Sequence, residues 1–220
     1  MQDALEEQAR AWVDADAPIL WLLGKTQAGK TSIVAEMTDQ GYDEVGRGYR
    51  PMTLESRIYA FPPQQPVLRF LDTRGLADST DNDPDNELAQ AREQAHLLVA
   101  VLRVDDQDVA EIIDAVDQAR RRHRRLPVIV AQTGLHRCYS AHDRHADPYP
   151  FDGSDDDTRR PGVPHQLSRV MLAQRKLFER ISGAAPLFVP LDFTRPEQGI
   201  APADYGAERL WDLLEQTLPE

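Results

Sequence analysis

Apolar runs alternate with amphipathic stretches along most of the chain. Continuous apolar runs predict buried strands, at Ile19–Leu23, Val67–Leu71, His96–Val104, Pro127–Ala131 and Leu187–Leu191. Apolar residues at helical spacing predict helices, at residues 32–40, 87–95, 106–122, 167–181 and 210–218. Strands that alternate with helices predict an α/β fold of three layers, in which helices cover both faces of a mostly parallel sheet.

Three segments depart from this alternation. Residues 56–61 and 67–71 flank the proline-rich sequence PPQQP, which predicts an antiparallel hairpin. Residues 137–164 are rich in Asp, Arg, Pro and Tyr and lack periodicity, and a segment of that length without regular structure is usually functional or mobile. We expect residues 1–17 to form a helical extension and residues 18–220 to form one domain that contains this irregular insertion.

Net charge, apolar runs and cysteine count exclude several classes of protein. The formal net charge of −12 argues against broad electrostatic attraction to nucleic acid. No apolar run reaches the roughly 18 residues that span a bilayer, and the acidic start MQDALEEQARAW lacks the features of a secretory signal. A single cysteine, Cys138, excludes an internal disulfide. We therefore expect a cytoplasmic protein, or one peripheral to a membrane if the sequence is part of a longer chain.

The strongest chemical signal is the sequence GKTQAGKT, which matches G-x-x-x-x-G-K-[ST] between an apolar strand and a helix. In a phosphate-binding loop, backbone N–H groups of the loop and of the helix N-terminus form an anion cradle. The residues expected to surround the phosphates are Gly24, Lys25, Thr26, Gln27, Ala28, Gly29, Lys30, Thr31 and Ser32. Lys30 is expected to reach the β- and γ-phosphates, and the Thr31 hydroxyl to bind Mg²⁺. The chain has only three lysines, and two of them lie in this loop.

A second element, Asp72-Thr73-Arg74-Gly75, ends the strand sequence VLRFLD. Asp72 stands where a second carboxylate associated with Mg²⁺ is needed, and the Gly75 N–H is a candidate sensor of a γ-phosphate. By itself D-x-x-G describes an ordinary turn after a strand. Its position behind the phosphate loop makes it a candidate part of the same site.

The phosphate loop, the hairpin and DTRG together resemble a P-loop GTPase of the translation-factor-related (TRAFAC) class, near the Era-like and HSR1-type group. The resemblance covers about Ile19 to Leu218 and implies a G-domain-like P-loop NTPase fold. It implies a Mg²⁺-dependent protein that binds GTP and GDP, hydrolyses GTP slowly and switches a protein effector, with nucleotide-dependent dimerisation as a further option. It also implies a switch threonine over Mg²⁺ and the γ-phosphate, for which Thr53 in GRGYRPMTLES is the match. The alternative for Thr53 is an ordinary solvent-facing loop hydroxyl.

Two positions of this chain differ from residues that assist hydrolysis in such GTPases. Gln27 occupies the loop position where many Era-like proteins have an asparagine that helps to bind K⁺, which weakens the expectation of K⁺ dependence. Leu76, directly after DTRG, is typical of Era-like proteins but supplies no side chain to orient the attacking water. A partner, a dimer or a cation is then needed to complete the hydrolytic site.

The base-reading motif departs furthest from the family pattern. The family has [NT]KxD after the strand that here reads PVIVA, and this chain continues as QTGLH. If Leu135 aligns with the leucine that often follows the motif, Gln132 replaces the lysine and Gly134 replaces the aspartate that selects guanine. Gln132 or Thr133 can still bond to a base, but neutral groups discriminate less than a bidentate carboxylate. Asp192, in PLDFT, is either a spatial substitute for that carboxylate or an ordinary loop carboxylate.

Three functions therefore stay open: a GTPase switch, an ATPase or NTPase of relaxed specificity, and a module that binds nucleotide without hydrolysing it.

The basic run Arg120 to Arg125 is best explained by favourable charge at a helix C-terminus. The scattered metal-ligand types His136, Cys138, His142 and His145 match no compact zinc spacing and are interpreted as loop residues.

Overall fold

A computed structural model describes residues 17–38, 50–51, 56–61, 66–73, 93–140, 143–151, 160–194 and 200–218, with the side chains of 50–51, 56–59 and 72–73 left out. Several predictions lie outside these residues: the helix within 1–16, most of the helix at 87–95, and the roles of Thr53, Arg74, Gly75 and Leu76.

Seven strands form the central sheet: β1 Ile19–Leu23, β2 Arg50–Pro51, β3 Ser56–Phe61, β4 Leu68–Thr73, β5 Leu97–Arg103, β6 Val128–Thr133 and β7 Leu187–Pro190. Their order across the sheet is β2-β3-β4-β1-β5-β6-β7. Strands β4, β1, β5, β6 and β7 are parallel, and β3 is antiparallel to both of its neighbours. The predicted fold class, a mostly parallel sheet with one antiparallel hairpin strand, is confirmed.

Helices cover both faces of the sheet: α1 Lys30–Thr38, α2 Ala110–Arg122, α3 His165–Phe178 and α4 Ala207–Thr217. Alternate residues of β1 enter two apolar clusters, because successive strand side chains point to opposite faces. Leu20 and Leu22 pack in the cluster that contains α1 and α4 residues. Trp21 and Leu23 pack in the cluster that contains α2 residues and the end of α3. Burial on both faces explains why the parallel strands are continuous apolar runs.

The polar end of β6 is longer than predicted. Backbone pairing with β5 carries β6 past Ala131, so that Leu102 pairs with Gln132 and Arg103 pairs with Thr133. The helix predicted from residue 106 begins at Ala110 instead. A short 3₁₀ helix, Leu135–Cys138, follows β6, and a small antiparallel ribbon forms from β8, Asp192–Phe193, and β9, Asp204–Tyr205.

The irregular insertion is packed where the structure describes it. Residues 143–151 contain no helix or strand, but Phe151 is buried with Leu135 and Leu167 in a third apolar cluster. The buried side chain of His145 stacks on Tyr205 of β9, with ring centroids 4.1 Å apart. These contacts fix the segment against the end of the sheet where the chain's polar motifs lie.

The basic run at the end of α2 divides into a buried and an exposed part. Arg120 is buried and its Nη1 donates to the carbonyl oxygens of Ser182 and Ala184. Burial also lowers the pKa of its guanidinium. Arg121 is exposed and pairs with Asp117 one helical turn earlier. Arg120 therefore stabilises the connection between α3 and β7. Within the described ranges, no helix has both the length and the apolar character to cross a bilayer.

Candidate functional site

The loop 24–29 connects β1 to α1, and steric reasons explain both glycines of its pattern. A Cβ on Gly24 would lie 2.6 Å from the carbonyl oxygen of Val101 on β5, so the close approach of the loop to this strand requires glycine. Gly29 has φ +100°, a conformation that side chains with a Cβ rarely adopt. Gln27, at φ +63°, adopts a left-handed conformation that is uncommon for residues other than glycine.

The Lys30 side chain folds back over this loop and contacts its carbonyl oxygens. Its side chain is buried, with 8% of the residue exposed, and its Nζ donates to the Gly24 carbonyl at 2.8 Å and the Lys25 carbonyl at 3.1 Å. Helix α1 begins at Lys30, and the first N–H groups of a helix have no acceptor within it. An ammonium group and a helix N-terminus therefore converge above one loop, which is the chemistry of an anion site.

Lys25, the other lysine of the loop, contacts a different part of the chain. Lys25 Nζ lies 3.3 Å from Asp106 Oδ2 and also donates to the carbonyl oxygen of Asp108. Both partners belong to the connection between β5 and α2. Lys25 thus anchors the loop, while its own carbonyl positions Lys30.

Two of the three residues predicted to bind metal, Thr31 and Asp72, lie at the same edge of the sheet, and the third, Thr53, is outside the described residues. Thr31 is exposed in the first turn of α1. Asp72 pairs in register with Leu22, which places it at the carboxyl end of β4, beside the end of β1. Hydroxyl and carboxylate oxygens are the ligands that Mg²⁺ prefers, and it usually completes its shell with phosphate and water. The residues present therefore fit a magnesium ion held together with a phosphate.

A cleft runs from this loop along the ends of β5 and β6. Gly29 and Ser32 line its loop side, and Gly134, His136 and Phe193 line its far side.

Thr133 joins the loop to β5 and β6. Its Oγ1 lies 2.7 Å from the Ala28 carbonyl oxygen, to which it donates, and 3.2 Å from that of Leu102. Thr133 also lines the cleft, and its contact with a nucleotide stays a prediction.

Gln132, the other candidate from this segment, contacts α3. Its side chain is fully buried, and its Nε2 donates to Gln174 Oε1 at 2.9 Å and to the Met171 carbonyl at 3.2 Å. Because neighbouring strand residues point to opposite faces, Thr133 lines the cleft while Gln132 supports the packing behind it.

Asp192 borders the cleft, but its carboxylate is already engaged. It is 1% exposed. Oδ2 accepts a hydrogen bond from the His136 backbone N–H at 2.7 Å and lies 2.9 Å from His145 Nε2, and Oδ1 lies 2.7 Å from His136 Nδ1. Burial alone would raise the pKa of Asp192, but the interactions with the two histidines outweigh it and lower that pKa below its usual value. The charged carboxylate thus connects three separate segments.

His136 and His145 were not recognised in the sequence as parts of this site. Asp192 is 56 residues away from His136 along the chain, and neither histidine belongs to a motif that indicates this contact. Tyr139 packs edge-on against His145, with ring centroids 5.1 Å apart. Burial, followed by the charge of Asp192, raises the pKa of the Tyr139 hydroxyl to about 12, so it stays protonated at neutral pH.

The lowered pKa of Asp192 predicts a pH-dependent contribution to stability. A carboxyl that binds its proton more weakly when folded stabilises the fold above its unfolded pKa of about 3.9, and this contribution is lost as pH falls through the folded value. We expect the stability advantage of the wild type over Asp192→Asn to hold from pH 7 to about pH 5 and to shrink as pH falls below the unfolded pKa of about 3.9. Urea unfolding across that range measures it, with Asp212→Asn, at a side chain 61% exposed, as the surface control. A constant difference between wild type and Asp192→Asn would contradict the prediction.

Comparisons with known proteins agree with this geometry. The family model described as 50S ribosome-binding GTPase matches residues 20–133, just over half of the chain. Elongation factor SelB of Methanococcus maripaludis, in complex with the GTP analogue GppNHp, superposes with a TM-score of 0.53 at 14% identity over 93% of this chain and 34% of that chain. A GTP-binding protein of Sulfolobus solfataricus in complex with GDP gives 0.50 at 15% identity over 96% and 54%. No curated protein matches significantly.

The two kinds of similarity support different conclusions. At 14% and 15% identity the solved structures show a shared fold, and the chain spans only 34% and 54% of their lengths. The family model instead covers the chain from β1 through the phosphate loop to Thr133 at the end of β6. The chain therefore belongs to the family described as 50S ribosome-binding GTPases, which are P-loop GTPases of the HSR1 and TRAFAC type.

Proposed function

We propose that this chain binds GTP together with Mg²⁺, hydrolyses it slowly and uses the bound nucleotide to switch its affinity for a protein effector in the cytoplasm. One observation carries the proposal: the buried Lys30 ammonium and the N-terminus of α1 converge over the glycine-bounded loop. Two sources of positive potential above backbone N–H groups suit a polyphosphate better than any other common ligand.

In this proposal each residue has a defined task. Lys30 neutralises charge on the β- and γ-phosphates, Thr31 holds Mg²⁺ directly, and Asp72 holds it through water. Thr53 and Gly75, which lie outside the described residues, would sense the γ-phosphate. Phosphoryl transfer leaves little covalent work to a protein, so positioning and charge stabilisation would supply most of the rate. Gln27, which departs from the Era-like pattern, and Leu76, which supplies no side chain to orient the attacking water, both support a low intrinsic rate.

The second candidate is an NTPase that discriminates weakly between bases, or an ATPase. The specific observation is that Asp192 is the one carboxylate among the described residues that line the cleft, and both of its oxygens are engaged. A guanine-selecting carboxylate needs two free oxygens for two N–H groups of the base. The third candidate, a module that binds nucleotide without hydrolysis, is motivated by Gln27 and Leu76.

Calorimetric titration with GTP, GDP, ATP and ADP, with and without Mg²⁺, tests the proposal together with phosphate-release assays. We expect GTP and GDP to bind more tightly than ATP and ADP, and slow Mg²⁺-dependent release of phosphate from GTP. Equal or tighter binding of ATP would replace the GTPase assignment by the second candidate. Binding with no phosphate release in Na⁺ or K⁺, at any protein concentration, would leave the third.

A further inference from the structure

We propose that the His136 imidazole contacts the base of the bound nucleotide, and that Asp192, braced by His145, is the positioning residue that fixes this ring. The inference rests on the proposed function, because it assigns the far end of the same cleft. None of the other candidates supplies a side chain for the base, because Gln132 is buried against α3, Gly134 has no side chain and Asp192 is already engaged.

The cleft extends from the phosphate loop to His136. Polyphosphate at the N-terminus of α1 leaves the remainder of a nucleotide to extend past Gly29 and Ser32, which line the near side of the cleft. His136 lines the far side with 28% of its side chain exposed. Phe193 lines the same cleft, half-buried, and offers an apolar surface to a ring.

Among the residues that the structure describes, the side-chain contact of the His136 ring is with Asp192, on one side of the ring. His136 Nδ1 lies 2.7 Å from Asp192 Oδ1, and the backbone N–H of His136 donates to Oδ2 at the same distance. Two contacts with one buried carboxylate fix both the backbone and the ring. Nδ1 carries the hydrogen, since a charged carboxylate can only accept, and this leaves Nε2 on the opposite side of the ring to bond to a ligand.

His145 supports the Asp192 carboxylate from behind. The His145 side chain is fully enclosed, and its Nε2 lies 2.9 Å from Asp192 Oδ2. His145 is itself stacked on Tyr205, at an angle of 11° between the rings. The enclosed, stacked ring of His145 lies against this carboxylate and restricts its rotation toward a ligand. The contact to the base is therefore made by His136, and Asp192 acts through it.

Neighbouring charged groups do not compete for this role. Arg103 Nε donates to Asp105 Oδ1 at 2.7 Å, and Arg137 Nη1 donates to Asp105 Oδ2 at 3.2 Å. These two arginines at the rim are thus paired with a carboxylate of their own. A hydrogen bond at Nε2 suits the edge of a purine, where guanine carries N–H groups at N1 and N2 and adenine carries one at N6.

Paired titrations with GDP and inorganic pyrophosphate separate base binding from phosphate binding, because pyrophosphate has no base. We expect His136→Ala to weaken GDP binding about tenfold, the loss of roughly one hydrogen bond that leaves a polar group unpaired, without changing pyrophosphate binding. His136→Gln, whose amide can both donate and accept a hydrogen bond, should recover part of the loss. Asp192→Asn should shift GDP binding in the same direction as His136→Ala, again without changing pyrophosphate binding. The matched control is His123→Ala, at an exposed histidine after the end of α2.

The outcomes distinguish this inference from the function on which it rests. GDP affinity in His136→Ala equal to that of the wild type overturns the inference alone, and so does an equal loss of GDP and pyrophosphate affinity. A wild-type protein that binds neither ligand overturns the proposed function as well. If Asp192→Asn fails to fold, the two His136 variants still decide, because His136 is partly exposed and its ring is held from one side.

Discussion

Lys30→Ala is expected to weaken GTP binding by about 100-fold or more and to reduce phosphate release to the background rate. The ammonium group already lies over the loop, donating to Gly24 and Lys25, so it meets a phosphate without rearranging the fold. Charge-assisted hydrogen bonds contribute about 1.5–3 kcal/mol each, and two such bonds correspond to at least this change in affinity. Lys25 cannot replace it, because its ammonium is engaged with Asp106 and Asp108. Calorimetry and phosphate-release assays measure both effects.

The third lysine provides the matched control for this substitution. Lys176 is exposed in the last turn of α3, away from the loop, so Lys176→Ala removes one positive charge without touching the site. We expect it to bind and hydrolyse GTP as the wild type does. Lys30→Ala should remain folded, because it removes a charge whose burial is costly in the absence of a ligand. Turnover that survives in Lys30→Ala would mean that the loop does not hold the reacting phosphates.

The sequence was sufficient to predict the layers of the fold. Buried parallel strands leave apolar runs, and the run Ile19–Leu23 coincides with the whole of β1. The hairpin of β3 and β4 also followed from its pattern. One boundary error occurs where polar residues continue a strand through backbone pairing. Gln132 and Thr133 belong to β6 because β5 supplies their pairing partners, and no hydrophobic pattern records this.

The base end of the cleft shows what sequence alone could not supply. The letters AQTGLH allow more than one alignment with [NT]KxD, and the alignment on Leu135 assigns Gly134 to the aspartate. In the structure Thr133 is the residue that bonds to the loop, at Ala28. If Thr133 is the first residue of the motif, His136 takes the fourth position. The contact between His136 and Asp192 spans 56 residues and depends on where β8 begins beside the 3₁₀ helix, which is a property of tertiary packing.

Gly24→Ala tests how closely the loop must approach β5. The added Cβ would lie 2.6 Å from the Val101 carbonyl oxygen, and β5 cannot retreat without disturbing its pairing with β1. We expect a loss of about 1–3 kcal/mol in the free energy of unfolding, as is typical of overpacking in a core. Nucleotide affinity should fall as well, because the Gly24 carbonyl accepts a hydrogen bond from Lys30. Urea unfolding and GDP titration measure the two effects.

Gly134→Ala is the comparison that isolates the steric cause. Gly134 has φ +71°, and the nearest atom to an added Cβ there is Arg137 Cδ at 3.5 Å, which is ordinary contact. Its substitution therefore costs about 1 kcal/mol of backbone strain and no clash. At Gly24 the constraint is the close carbonyl oxygen of Val101, and the residue has no left-handed φ. A smaller loss of stability in Gly24→Ala than in Gly134→Ala would show that the loop can move away from β5, and the first glycine of the motif would then need another explanation.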